Sequence, residues 1–452
     1  MFRKFLIVSV SIAFFACSGE GNNEHNGGST HSSDSNNHEY SSSDGGGDHQ
    51  DHSSSSGNGG GNPPSPNNPT GAYLSLPSNA NRAAIASRYE KWIQTYYITY
   101  EDDFAAGTFS ANAAKSGAEG SARIKHSTAN KTVSEGIGYG MLLASLNGDR
   151  ERLDKLWKYN KLYRIEGTAL MIWDITSFTR NVSGGSASDA DIDIMAALFI
   201  AYNRWKDQAY LDDAIAIGKS IYETELSGGK LLLPAMSREA LGDGTKINIS
   251  YISLAAMKLL SIYDKGNGRD WDAVLNANIS FMERIQNAGL GLFPDWVDPT
   301  NDQPVAPPSL GSGCSNITAS DGTATSSCLV YNKESVRIPW RVAWYYHWFG
   351  DSKAKAMLDK MYTFVSSRTG SDPGQIKTWY GYNKDIEAST TGGKMYWTSL
   401  CATGLASAEH SAWNTACNQR LLADDISGSI SQYYGESLYM LYFILFNGGF
   451  EF

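Results

Sequence analysis

Three carboxylates at alternate positions, Asp189, Asp191 and Asp193, open the stretch SDADIDIMAALFIAYNRW and run directly into an apolar segment. Aspartate at a helix start caps free amides and complements the helix dipole. A D-x-D-x-D string also resembles the start of a calcium loop. Here, however, the sixth position is Ile194 instead of glycine, and the twelfth is Ile200 instead of a bidentate glutamate. The chemistry left is that of a carboxylate held at the mouth of a cavity. Two further segments set a carboxylate at the start of an apolar run: Glu135 in TVSEGIGYGMLLAS, and Glu334 in LVYNKESVRIPWRVAWYYHWFGD, three residues before Arg337. Each has a structural alternative. Thr132-x-x-Glu135 fits a capping box, and Glu334 with Arg337 fits an i, i+3 surface ion pair. To stay protonated as an acid, Glu135 needs burial against aromatics such as Tyr139, or a neighbouring carboxylate.

The elements that would hold these groups are helical. Apolar residues recur at helical spacing in RAAIASRYEKWIQTYY, EGIGYGMLLASL, the Ser188 stretch, LDDAIAIGKSIYETEL, YISLAAMKLLSIY, AVLNANISFMERIQ, SVRIPWRVAWYYHWF, AKAMLDKMYTFVSSR and ESLYMLYFILF. Gly-, Asn-, Asp- and Ser-rich loops separate them. The pattern predicts a large all-α domain of about a dozen helices packed in layers, with no heptad seam. Many of the 12 Trp and 25 Tyr fall in or beside loops, among them Trp173, Trp296, Tyr331, Trp379, Tyr380, Tyr382, Trp397, Tyr433 and Tyr434. Large aromatics fill large cores, but exposed rings beside carboxylates would also suit sugar rings. Glycoside hydrolysis needs two carboxyl groups, one protonated and one ionised.

The N-terminal MFRKFLIVSVSIAFFAC has the basic start and short apolar run of an export signal, residues 1–17, and Cys17 sits where a bacterial lipoprotein would carry its lipid. Residues 18–71 are Ser, Gly, Asn, Asp and His with few apolar groups, a composition that stays unfolded. They hold His25, His31, His38, His49 and His52, read as part of a solvated tether and not as a metal site. Residues 72–452 form the expected folded domain. Its four cysteines, an even number in an exported chain, most simply close the loops 314–328 and 401–417. With no C-x-x-C, neither zinc nor redox chemistry is indicated. A formal charge of −10 argues against nucleic acid.

SEGIGYGMLLAS, ASDADIDIMAALFIAYNRW and ESVRIPWRVAWYYHWFGD, in that order, resemble the three signature regions of glycoside hydrolase family 8. LMIWD, INISYISLAAM, LFPDW and YYGESLYMLYFILFNGGF fit the same pattern, so the resemblance spans about residues 80 to 450. It implies an α/α barrel of six helical hairpins with a cleft at one end, and an inverting endo-β-1,4-glycanase needing no cofactor or metal. By position it makes Glu135 the general acid and Asp189 the carboxylate that holds the distorted sugar, leaving Asp191 and Asp193 to capping or supporting roles. Arg337, Trp173, Tyr251 and Tyr434 become substrate contacts. Met195 stands where the family usually has Ala. Where members often read Y-D-A-x-R-x-P-W-R, with Asp activating water, this chain has Lys333-Glu334-Ser335-Val336-Arg337-Ile338-Pro339-Trp340-Arg341. Glu334 is the expected base, with a reach longer by roughly an ångström. Asp321, in an inserted loop, is the alternative. The Ala-Ser-Asp-Ala-Asp form around Asp189 resembles glucan- and chitosan-cleaving members, so β-1,4-glucan ranks first among polysaccharide substrates, then xylan and chitosan. The chain is expected to act as an exported monomer, tethered if Cys17 is lipidated. A carbohydrate-binding surface protein without catalysis is the reading of another class.

Overall fold

Apolar residues at helical spacing become thirteen α-helices among the described residues of the computed structural model. They are α1 (Ala84–Tyr96), α2 (Tyr100–Ala105), α3 (Ser134–Asn147), α4 (Arg150–Leu162), α5 (Ser188–Trp205), α6 (Gln208–Thr224), α7 (Leu254–Tyr263), α8 (Trp271–Ala288), α9 (Ile338–Phe349), α10 (Ser352–Thr369), α11 (Lys394–Cys401), α12 (Ser411–Ala423) and α13 (Tyr433–Phe446). The structure describes residues 68–452 apart from 181, 238–243, 309–312 and 371. The expected signal, Cys17 and the tether up to residue 67 lie outside the described residues. At the start of the described chain, Thr70 and Ala72 donate backbone bonds to the carbonyls of Trp348 and His347.

The helices differ in how they are buried. In α9 every residue is buried, and α3, α5 and α13 are buried along most of their length. By contrast α4, α6, α8 and α10 bury one face only. An all-round apolar helix must be enclosed, whereas an amphipathic one covers a surface. Successive pairs pack together accordingly: α3 with α4, α5 with α6, α7 with α8, α9 with α10 and α11 with α12, while α13 packs on α1. Enclosed neighbours such as α3 and α5, α7 and α9, and α11 and α13 also touch. Trp92, Trp340, Trp344, Trp348 and Trp397 are fully buried, so these rings fill the core.

Two helices begin later than their periodicity suggests. Asn248 caps a short 3₁₀ turn, Ile249–Tyr251, so α7 starts only at Leu254. Ser335–Arg337 forms another 3₁₀ turn ahead of α9, whose first turn contains Pro339. Proline is tolerated there because a helix start leaves its N–H groups unbonded anyway. Short antiparallel strands tie down the loops entering the enclosed helices. Lys131–Val133 pairs with Asp174–Thr176 just before α3. Ile247–Asn248 pairs with Trp296–Val297, with Asn248 opposite Trp296. Disulfides join Cys314 to Cys328 and Cys401 to Cys417, the two short loops expected.

Candidate active site

The N-terminal ends of α3 and α5 and the 3₁₀ turn before α9 meet at one guanidinium. Arg337 Nη1 donates to Glu135 Oε2 at 2.7 Å and to Asp189 Oδ2 at 2.8 Å. Its Nη2 donates to Glu334 Oε2, and its Nε to Ser250 Oγ at 3.0 Å. The three carboxylates named from the sequence are therefore gathered by the arginine named with them. Close helix approach makes this possible. A Cβ on Gly138 would come within 3.1 Å of Asp193 Cβ and 3.2 Å of the Ala190 carbonyl, so glycine lets α3 lie against α5. A Cβ on Gly136 would sit 3.0 Å from the Tyr433 hydroxyl. That hydroxyl needs the room, because it donates to Glu135 Oε1 at 3.0 Å.

The competing structural readings can now be weighed. Thr132 does not build a capping box: its hydroxyl donates to the Ile124 carbonyl, and α3 has no side-chain cap. The Glu334–Arg337 pair exists, but with Arg337 2% exposed it is not a surface pair. Asp189 does some capping, since its Oδ1 accepts from the Ala190 amide at 2.9 Å while Oδ2 faces Arg337. Asp191 accepts from the Met171 amide. Asp193 makes a buried two-point ion pair with Arg341, one turn deeper than Arg337. The side chains of Glu135 and Glu334 remain 17% and 23% exposed, against 4% for Asp189. Glu135 and Glu334 thus reach solvent, and Asp189 lies beneath them.

Burial first, and charge balance after it, raises the hold of Glu135 on its proton. Three ionised carboxylates around one guanidinium would leave two negative charges uncompensated in a half-buried site. Burial, with Asp189 and Glu334 adding repulsion against the attraction of Arg337, pushes Glu135 up to about 7. Burial also raises Asp189, opposed by Arg337 and Arg341. Glu135 therefore exchanges its proton near neutral pH, beside two other carboxyl groups. Hydrogen bonds of ~2.9 Å to nitrogens ~2.3 Å apart on one guanidinium keep the bound oxygens of Glu135 and Glu334 within about 8 Å. That ceiling spans the ~5–5.5 Å of a retaining pair and the lower part of the roughly 6.5–9.5 Å at which a water fits between acid and base, so the stereochemistry is left to experiment.

Tyr251 and Tyr434 flank the arginine, with its carbon 4.9 Å and 5.7 Å from the ring centroids. The Tyr434 hydroxyl donates to the Lys333 carbonyl. Trp173 sits where the chain enters α3: its carbonyl accepts from the Ser134 amide, and the Lys131 ammonium lies 5.9 Å from its ring centroid. Asp321 is not brought to the cluster. It is exposed in the turn between the strands Asn316–Thr318 and Ala324–Ser326, where it accepts from the Thr323 amide.

Asn248, Ser250 and Asp295 of the site were not singled out from the sequence, and Tyr433 was named only as a loop aromatic, not as a partner of Glu135. All four lie in quoted segments, YYGES, INISYIS and LFPDW, but nothing in their spacing pairs them with a carboxylate. Asn248 Nδ2 donates to Glu334 Oε2 at 3.1 Å. Asp295 Oδ1 accepts from the Ser335 amide at 2.9 Å and the Ser335 hydroxyl at 2.7 Å. Burial next to Glu334 pushes Asp295 up to about 6. Among the described residues no group of three His, Cys, Asp or Glu side chains is arranged to hold a metal ion.

Comparison with known proteins gives consistent matches. The family model described as "Glycosyl hydrolases family 8" matches residues 80–448. The chain is 27% identical over 310 residues to "Endoglucanase C" of Ruminiclostridium cellulolyticum, covering 66% of this chain and 58% of that protein. It is 32% identical over 262 residues to "Endoglucanase A" of Acetivibrio thermocellus, covering 55% of this chain and 50% of that protein. "Beta-glucanase" of Niallia circulans is 24% identical over 386 residues, covering 82% and 85%. The matched stretch thus spans 58% of the length of the first of these relatives. Among solved structures, the apo β-1,3-1,4-glucanase of Paenibacillus sp. X4 superposes with a TM-score of 0.66 at 21% identity, covering 84% of this chain and 97% of that one. A cold-adapted family 8 xylanase superposes with a TM-score of 0.64 at 17% identity, covering 86% and 98%.

Proposed function

The chain belongs to glycosyl hydrolase family 8, and on that premise we propose that it is an inverting endo-β-1,4-glucanase. Its paired helices would close into a barrel of six hairpins, α3 to α13 alternating inner and outer with α1 as the last outer helix, and with the carboxylate cluster at one end. The observation that carries the reading is the single guanidinium of Arg337 holding Glu135, Asp189 and Glu334 together, in surroundings that push Glu135 up to about 7. Glu135 protonates the glycosidic oxygen as the bond breaks. Glu334 takes a proton from the water that attacks the far face of the sugar. Asp189, deeper and against Arg337, stabilises the positive charge that develops on the distorted ring. Tyr251, Tyr434 and Trp173 offer ring faces and hydroxyls to the sugars on either side.

Glucan is supported by the printed names of the sequence relatives, endoglucanases and a β-glucanase. The small residues beside Asp189 add nothing to that choice, because Ser188 and Ala190 are fully buried, Ser188 on the Leu233 carbonyl and Ala190 against Gly138 of α3. Xylan is the second reading, because the fold is shared with a xylanase. Two disulfides suit an oxidising compartment, so we propose that the protein is exported. The test is the release of reducing ends, under one buffer, from carboxymethylcellulose, mixed-linkage β-glucan, xylan and chitosan. The glucans should be cleaved fastest. Xylan cleaved a hundredfold faster would overturn the substrate, and no release from any polymer would favour a binding protein.

A further inference from the structure

The base has an extra methylene, and the surroundings of Glu334 are built to hold it. A glutamate side chain turns about three bonds, so an unsupported one would spread its carboxylate over several positions. Here Oε2 is held by two donors, Arg337 Nη2 and Asn248 Nδ2. Asn248 is 1% exposed and its amide orientation is fixed, since Oδ1 accepts from the Ser250 amide at 3.0 Å and the Ser250 hydroxyl at 2.7 Å. Ser250 Oγ in turn accepts from Arg337 Nε. Arg337, Ser250, Asn248 and Glu334 therefore close a ring of hydrogen bonds in which each member sets the direction of the next. The main chain of the base is anchored separately, by Asp295 on the Ser335 amide and hydroxyl. The strand pairing that sets Asn248 opposite Trp296 puts both supports side by side.

We propose that Asn248 is a positioning residue for the water-activating base, and that glutamate at 334 is matched in length to it. Both donors converge on Oε2, which leaves Oε1 as the oxygen that accepts the proton of the attacking water. An aspartate at 334 would withdraw its carboxylate by about 1.5 Å. That carries the oxygen beyond hydrogen-bond reach of Asn248. Restoring the residue common in the family would therefore harm this enzyme.

The proposal rests on Glu334 being the base, and a double-mutant cycle tests the two claims separately. Asn248→Ala should lower kcat on β-glucan roughly 10–100-fold, the cost of a misplaced reacting group, with KM changed by less than about twofold. In the Glu334→Ala background the same substitution should cost nothing further. Asn248→Leu keeps the volume but removes the donor, and should lose at least as much as Asn248→Ala, with circular dichroism reporting that each variant is folded. Glu334→Asp should fall at least about tenfold, and adding Asn248→Gln, which lengthens the amide, should recover part of that. Equal losses from Asn248→Ala with and without Glu334 would overturn the positioning role. Wild-type turnover in Glu334→Asp would overturn the length match. Full activity in Glu334→Ala would instead remove the base assignment itself.

Discussion

Two arginines one helical turn apart, Arg337 and Arg341, face two aspartates one turn apart on α5, Asp189 and Asp193, making two rungs between α5 and the segment 335–349. The upper rung gathers three carboxylates on one guanidinium and keeps two of them partly open to solvent. The lower rung is one carboxylate to one guanidinium, with both side chains within 2% of full burial. Tyr139 repeats the step on α3, one turn below Glu135, and is buried within the field of both rungs. The Arg–Asp pair is common to both levels. The ratio of charges differs, and in the proposed mechanism it separates a site that must hold and release a proton from a site that only has to stay neutral.

The largest effect expected is on the upper rung. Glu135→Gln preserves shape but cannot donate a proton, and should lower turnover on polysaccharide ~10²–10⁴-fold. Oligosaccharide binding, followed by calorimetry, should persist. Because Glu135 sits at about 7, the acid form falls away as pH rises above neutrality, so wild-type kcat/KM should decline on an alkaline limb beginning near that pH. The limb should vanish from the residual activity of the variant. Near-wild-type turnover in Glu135→Gln would erase the distinction between the rungs.

Next come the two aspartates, which should respond in opposite ways. Asp193→Ala leaves the Arg341 charge buried and unpaired, a change that costs about 3–5 kcal/mol in such pairs. Asp189→Asn leaves Arg337 with two carboxylates, so stability should move by under about 1 kcal/mol while activity falls at least about a hundredfold. Urea unfolding and initial rates on β-glucan measure both. Equal destabilisation by the two substitutions would show that the rungs are alike.

A smaller effect sharpens the same comparison. Glu135 binds its proton more tightly when folded, about 7 against 4.5 for the free side chain, so the folded state carries the extra proton between those values. Stability therefore declines as pH rises through that window. Glu135→Gln lacks this contribution, and its melting temperature should exceed that of the wild type by more at pH 8 than at pH 5. Asp193 and Asp295, both raised to about 6, act in the same direction in both proteins and largely cancel from the difference. A gap that narrows with rising pH would contradict the proton on Glu135.

The helical architecture and the three carboxylates were legible because periodicity and helix-start composition are local signals. Asp193 shows where that ended: capping and ion pairing look identical in sequence, and only the packing of α5 beside Arg341 decides between them. Asn248 and Asp295 were hidden for a related reason. Their partner Glu334 is 86 residues from Asn248 in the chain, and a two-residue strand pairing brings them together. Nor could a list of acidic loop residues rank Asp295 above Asp321, since one is half-buried beside Glu334 and the other exposed in a turn.

The account stands most directly on the stereochemistry of the first product. In the proposed mechanism a water lodged between Glu135 and Glu334 attacks opposite the departing oxygen, so a single displacement must invert the anomeric carbon. Proton NMR of β-glucan hydrolysis, read before mutarotation, should show the α-anomer appearing first, with the β-anomer growing only as equilibrium is approached. A β-anomer that appears first would mean a covalent intermediate and would contradict the roles given to Glu135 and Glu334.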